Sequence, residues 1–232
     1  LVFQSTAYDC NPKLNQLAIN EWHEDDQSTW AIDDVSGARL DPLKVRQARG
    51  LEMNYIDEKG VYIRISRDEA IHRGLKIIKT RWIDINKGDE TTPNYRSRFV
   101  AKEFNTGDQD GLFASTPPLE ALRLLINDAA TYSSKEPKCI MINDVSRAFF
   151  AADCYREVCI ELPAEEKASH DQVGLLVKSL YGTRDAAANF QHEVKKFMQS
   201  IGFSVGTYNP STYYHSHRNL KTFVHGDDFV TS

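Results

Sequence analysis

At 232 residues, 41% of them hydrophobic and 26% charged, the chain is long enough for one sizeable core with two lobes and has the balance of an ordinary soluble protein. It holds no run of eighteen apolar residues and no charged-then-apolar leader, so neither a membrane span nor secretion is expected. The net charge of −5 argues mildly against nucleic acid as a partner, yet residues 61–104 carry 10 Lys/Arg against 6 Asp/Glu, whereas 1–60 carry 6 against 11. The four cysteines, Cys10, Cys139, Cys154 and Cys159, contain no Cys-x-x-Cys pair, which leads to the expectation of reduced thiols in an intracellular protein. The chain opens at Leu1 rather than Met and stops four residues after Asp228, and is expected to be a fragment.

Residues 1–40 are polar and aperiodic, with acidic clusters at Glu24-Asp25-Asp26 and Asp33-Asp34, and read as a weakly ordered lead-in. Asp41-Pro42 then supplies an N-cap and a first helical residue for a helix to about Ile56, stopped by Gly60. Val61, Ile63 and Ile65 alternate as a strand, and Ser66 with Glu69 forms a capping box for a short helix. Lys76–Ile85 and Tyr95–Phe104 read as two strands of a hairpin across a polar loop. On the return strand Arg96, Arg98, Val100 and Lys102 share one face, and Tyr95, Ser97, Phe99 and Ala101 the other. After Pro117-Pro118, Leu122, Leu125, Ile126 and Ala129 form the stripe of an amphipathic helix. Ile140, Met141 and Ile142 make a strand that ends at Asp144, and 158–162 and 173–177 are two more strands. Asp185 is placed to cap a helix whose core residues are Phe190, Val194, Phe197, Met198 and Ile201, with Gly202 as its stop. Tyr213 and Leu220–Val224 belong to strands leading into Asp227-Asp228.

That last stretch carries the chemistry. Two adjacent carboxylates in a turn between apolar strands repel one another, and a divalent cation is the usual means of offsetting that repulsion. Asp144, at the end of an upstream strand, is the natural third carboxylate, and one strand-end Asp with an Asp-Asp hairpin is the layout of a two-metal phosphoryl-transfer site. An Asp-Asp pair in a turn is also, more plainly, a solvated turn. Three cations on one strand face need an anion or solvent, and a phosphate and water both answer. Phe149 is an ordinary core residue by periodicity alone. The element order around the carboxylates describes an α+β fold, with the basic hairpin as a separate lobe.

Several motifs, in order over roughly residues 75–232, resemble the reverse transcriptase of copia-type LTR retrotransposons. Tyr95-Arg-Ser-Arg-Phe-Val-Ala-Lys-Glu-Phe104 is similar to the family's Tyr-Lys-Ala-Arg-Leu-Val-Ala-Lys-Gly-Phe, and Phe113-Ala-Ser-Thr-Pro-Pro118 with Arg123 to its Phe-Ala-Pro-Val segment and Arg-bearing helix. Asp144-Val-Ser-Arg-Ala-Phe-Phe150 resembles Asp-Val-Lys-Thr-Ala-Phe-Leu, and Ser179-Leu-Tyr-Gly-Thr-Arg-Asp-Ala186 resembles Ser-Leu-Tyr-Gly-Leu-Lys-Gln-Ala. His225-Gly-Asp-Asp228 stands where the family has Tyr-Val-Asp-Asp.

The resemblance implies a palm, an antiparallel sheet with helices on one face, and a fingers hairpin lobe, truncated before the thumb. The expected division is an upstream extension with a helix over 1–74, fingers over 75–135 and an incomplete palm over 136–232. It further implies an RNA-directed DNA polymerase with two Mg²⁺ ions (Mn²⁺ as a substitute), held by Asp144, Asp227, Asp228 and the carbonyl of Val145. Arg98, with Arg96 and Lys102, would reach the triphosphate, Phe149 would sense the sugar, and Asp185 stands where the family has a Gln near that sugar. Primed RNA or DNA template and deoxynucleoside triphosphates are the implied partners. The thumb and RNase H of a Pol polyprotein would follow downstream, and the setting would be the cytoplasm (a virus-like particle) or the nucleus. Two readings compete: a degenerate, non-catalytic remnant that at most binds nucleic acid, and a two-metal nuclease, which would need neither an aromatic gate nor a basic hairpin.

Overall fold

The computed structural model describes residues 31–89, 91–104, 114–131 and 138–232. In chain order the elements are β1 (Ala31–Ile32), β2 (Arg39–Leu40), α1 (Pro42–Lys59), β3 (Tyr62–Ser66), α2 (Arg67–His72), β4 (Lys76–Ile78), β5 (Thr80–Asn86) and β6 (Tyr95–Ala101). They continue with α3 (Leu119–Ala130), β7 (Met141–Asp144), β8 (Val158–Glu161), β9 (Gln172–Leu176), α4 (Ala186–Ser200), β10 (Ser204–Val205), β11 (Thr212–His215), β12 (Leu220–His225) and β13 (Asp228–Thr231). The described parts of 4–104 and 156–183 form one compact unit, called here the hairpin unit; those of 105–155 and 184–232 form the other, the carboxylate unit. No helix among the described residues is long and apolar enough to cross a membrane.

The hairpin unit starts earlier than the polar composition of 1–40 suggests. Residues 1–30 lie outside the described part, but β1 and β2 pair across a turn built on Asp33. The Asp33 carboxylate accepts the N–H groups of Val35 at 2.9 Å, Ser36 at 2.7 Å and, from β5, Asn86 at 2.7 Å. Those donors, Asn86 foremost, hold its pKa down at about 2 against the ordinary 3.8. A folded-state pKa below the unfolded one stabilises the protein in full above about pH 4, and that contribution is lost as pH falls toward about 2. Thermal melts of wild type and Asp33→Asn should therefore differ most near neutrality and converge through this acid window; a gap that persists unchanged to about pH 2 would contradict the assignment.

Helix α1 obeys its sequence signals. The Asp41 carboxylate accepts the N–H groups of Leu43 and Lys44, Pro42 takes the first turn, and Gly60 closes the helix in the left-handed region. Ser66 caps α2 by accepting the N–H of Glu69 at 3.0 Å. The hairpin of β5 and β6 runs in register from Asn86–Tyr95 to Thr80–Ala101. A second sheet has the order β3-β9-β8-β4, antiparallel except for the parallel pair β4–β8. Residues 158–176, read from sequence as neighbours of the Asp144 strand, thus pair with β3 and β4 instead. The reason is burial on both faces: Val158, Cys159 and Ile160 are all within 1% of complete burial, as an interior strand requires.

The carboxylate unit is a five-stranded antiparallel sheet ordered β10-β11-β12-β13-β7. Phe223 and Val224 are adjacent in β12 and both buried, so both faces of the sheet need cover. On the Val224 face, Tyr213 and Phe229 pack with Phe190, Val194 and Met198 of α4. On the Phe223 face, Phe223 and Val230 pack with Leu125 of α3. The helices therefore lie on both faces, not on one as expected. Along α3 only Leu125 of the expected stripe is buried, and Ile126 is 46% exposed, because the contact with the sheet is made along one narrow edge. The α4 core is as read, except that Ile201 is also 46% exposed. Asp185 occupies the N-cap position of α4, but its carboxylate makes no capping bond and accepts instead the side-chain amide of Asn189 at 3.0 Å, one turn along.

Candidate active site

The carboxylates are brought together by strand register. His225 pairs with Asp228, leaving Gly226 and Asp227 as a two-residue turn between β12 and β13. Gly226 has φ 61 and Asp227 does not share a positive φ, the pattern of a type II′ hairpin turn, which takes glycine at its first central position. His225-Gly226 in place of Tyr-Val thus serves the turn itself: a Cβ at Gly226 would meet nothing within 4 Å, but a side chain there would strain the backbone.

Strand β13 then pairs antiparallel with β7, placing Asp228 directly opposite Asp144, and the Val145 N–H donates to the Asp227 carbonyl at 2.9 Å. Directly opposed residues share a sheet face, so Asp144 and Asp228 project to the side that carries Val230 and α3. All three carboxylates are exposed, which keeps their mutual repulsion small in the absence of a counter-ion. Their oxygens are hard donors on adjacent positions of one hairpin and its neighbour strand, and in kind they fit a hard divalent cation. Among the described residues no group of three His, Cys, Asp or Glu side chains is already closed into a metal-holding cluster. The backbone assembles this site and the side chains remain open.

Beyond Asp144 the chain turns sharply at Arg147, whose φ is 50, into a single 3₁₀ turn over Ala148–Ala151. Val145 and Phe149 are both half-buried against the α4 side of the sheet. The Phe149 ring meets Phe190 edge-on, 6.2 Å between centroids, and lines a cavity of about 200 Å³ with Tyr213, Val224 and Gly226. Burial pushes the Tyr213 phenol up to about 12, so it stays protonated near neutrality. Asp185, buried and bonded to Asn189, belongs to this unit too.

Arg96, Arg98 and Lys102 belong to the hairpin unit and are all exposed, although Val100, which alternation puts on their face, is buried. The opposite face is consumed by packing: Phe99 is buried against Trp82, and the Ser97 hydroxyl donates to Asp84 at 2.6 Å. Arg49 donates to both oxygens of Asp84 and to Glu165. Sequence reasoning gave no role to Tyr181, yet the Arg98 guanidinium lies over its ring, 5.2 Å from the centroid. The available signal was its place in Ser179-Leu-Tyr-Gly, next to the glycine. Phe113 of the proline-containing segment lies outside the described residues.

A hairpin bearing two aspartates is thus paired to a strand that ends in a third. The chain belongs to the reverse transcriptase (RNA-dependent DNA polymerase) family, whose match covers residues 69–232. No curated protein matches it. The family's activity is template-directed nucleotidyl transfer from deoxynucleoside triphosphates, with nucleic acid as template and divalent metal as the usual cofactor.

Proposed function

We propose that the chain is the polymerase region of a copia-type retroelement, with the five-stranded sheet as its palm and the β5–β6 hairpin as part of its fingers. The observation that carries this reading is the β13–β7 register, which sets Asp228 opposite Asp144 and bonds Val145 to Asp227. Asp144 and Asp227 would be the main ligands of two Mg²⁺ ions, with Asp228 and the Val145 carbonyl in support. Ions bound there would lower the pKa of the attacking 3′-hydroxyl and neutralise charge on the α-phosphate and its leaving oxygen. Arg98, aided by Arg96 and Lys102, offers in-plane N–H groups to the triphosphate. Phe149 would sense the incoming sugar from the α4 side of the sheet, and the buried Asp185 bonds Asn189 in the first turn of α4.

Two measurements test the reading in the 232-residue chain: Mn²⁺ binding by electron paramagnetic resonance, and single-nucleotide incorporation on a primed RNA template. Binding of Mn²⁺ and incorporation of the templated deoxynucleotide are expected; their joint absence would overturn it. Asp185, standing where the family has a Gln, favours one second reading, a non-catalytic remnant. Duplex binding without Mn²⁺ binding would be its signature.

Phe149→Val separates packing from selection. A ring that blocks the 2′-hydroxyl yields, when trimmed, ribonucleotide use raised by roughly ten- to a hundred-fold relative to deoxynucleotides. A ring that only packs on Phe190 leaves that ratio unchanged and lowers stability by about 1–4 kcal/mol. The selectivity ratio and the melting temperature, measured together, decide between them.

A further inference from the structure

Arg98 differs from six arginines of its unit. Arg49, Arg64, Arg67, Arg73, Arg81 and Arg156 each hold a carboxylate. Arg98 is exposed, and no carboxylate is paired with it among the described residues. A long cationic side chain without an ion pair ordinarily samples many rotamers, and immobilising it on a ligand costs affinity. Here the guanidinium already rests on an aromatic face, 5.2 Å from the Tyr181 centroid.

The ring is held there by the backbone. The Ala101 N–H donates to the Tyr181 carbonyl at 2.7 Å, and the Glu103 N–H donates to the Gly182 carbonyl at 3.3 Å. The Tyr181-Gly182 turn is thereby pinned along the end of the strand that carries Arg98. A carboxylate with no exposed surface anchors the same strand end. Glu103 accepts both terminal nitrogens of Arg156, at 2.8 and 3.1 Å, and the Lys76 ammonium at 3.0 Å. In the motif that this stretch resembles the family has glycine at position 103, so this lock belongs to the present chain.

We propose that Tyr181 is a positioning residue for Arg98: stacking fixes the guanidinium plane and leaves its in-plane N–H groups directed outward for a triphosphate. A cation over a ring uses its face, whereas bidentate phosphate recognition uses its edge, so both interactions coexist on one guanidinium. This rests on the reading of Arg98 as a phosphate-binding residue. It makes the motif around Tyr181 and the motif around Arg98, distant in sequence, two halves of one device.

The test uses the 232-residue chain with inorganic tripolyphosphate as probe, followed by calorimetry, and the Arg98 Nε–Hε resonance followed by NMR. The ring current should move the Arg98 Hε signal upfield in wild type and Tyr181→Phe, and Tyr181→Leu should return it to its ordinary position. Tripolyphosphate affinity should fall about two- to five-fold in Tyr181→Leu and recover in Tyr181→Phe. In an Arg98→Ala background, Tyr181→Leu should cost nothing further, because the group it orients is gone. Tyr181→Gln repeats the comparison if the leucine variant does not fold. Equal loss in both backgrounds makes Tyr181 merely structural and overturns the proposal. Binding that depends on Arg98 but not on Tyr181 overturns the proposal and leaves Arg98 as the phosphate ligand. A wild type that does not bind tripolyphosphate removes both.

Discussion

Asp227→Asn and Asp144→Asn should each lower nucleotide incorporation by about 10²–10³-fold or more, while binding of a primed duplex stays within about two-fold of wild type. The size of the effect follows from what the substitution removes. Asparagine keeps the shape of aspartate but not its charge, and a hard divalent cation is held by charge. The fold should tolerate either change, because both side chains are exposed and the strand pairing that presents them is made by the backbone: Asp144 opposite Asp228, and the Val145 N–H on the Asp227 carbonyl. Duplex affinity, by contrast, comes chiefly from cations meeting phosphates, and neither aspartate contributes to that. Mn²⁺ affinity gives a readout independent of turnover and should fall in the same variants. Full incorporation by both variants would take the metal site away from these residues.

Gly182→Ala should destabilise the hairpin unit by about 2–4 kcal/mol in urea or thermal unfolding. An added Cβ would lie 2.0 Å from the Ala101 carbonyl oxygen, and that atom belongs to the backbone of β6 and has no rotamer by which to escape. The residue also has φ 80, where any side chain adds about 1–2 kcal/mol of strain. Relief requires the 181–182 turn to lift from β6, breaking the Ala101–Tyr181 and Glu103–Gly182 hydrogen bonds and carrying the Tyr181 ring off Arg98. The variant should lose the Arg98 ring-current shift along with stability. Gly226→Ala is the control: its φ is 61, but a Cβ there meets nothing within 4 Å, so only about 1–2 kcal/mol of backbone strain is expected. A Gly182→Ala protein as stable as wild type would show that the turn does not dock on β6 as described.

What could be read from the chain alone was local or periodic. Asp41-Pro42 and Gly60 bound α1 because capping is satisfied within a few residues, and Ser66 with Glu69 starts α2 for the same reason. The alternation of β6 put Arg96 and Arg98 on one face because a strand has a period of two, but not the burial of Val100 on that same face. The apolar spacing of Phe190, Val194 and Met198 announced the buried face of α4. The three aspartates were legible as a group because their motifs occur in order, even though nothing in the sequence sets their separation.

Tertiary structure decided which strands meet and which faces they cover. Residues 158–160 and 173–176 carry the apolar runs of any buried strand, and only pairing with β3 and β4 assigns them to the hairpin unit. Phe223 and Val224 are both apolar, but only the packing of α3 and α4 shows that the sheet is covered on both sides. The Asp185 carboxylate could have capped its helix or turned along it to Asn189, and side-chain competition settled this. The Tyr181–Arg98 stack joins residues 83 positions apart through backbone hydrogen bonds that carry no side-chain signature. Capping and periodicity are fixed by the nearest few residues and so survive in a linear reading, whereas register, sheet membership and stacking depend on partners that the chain meets only when it folds.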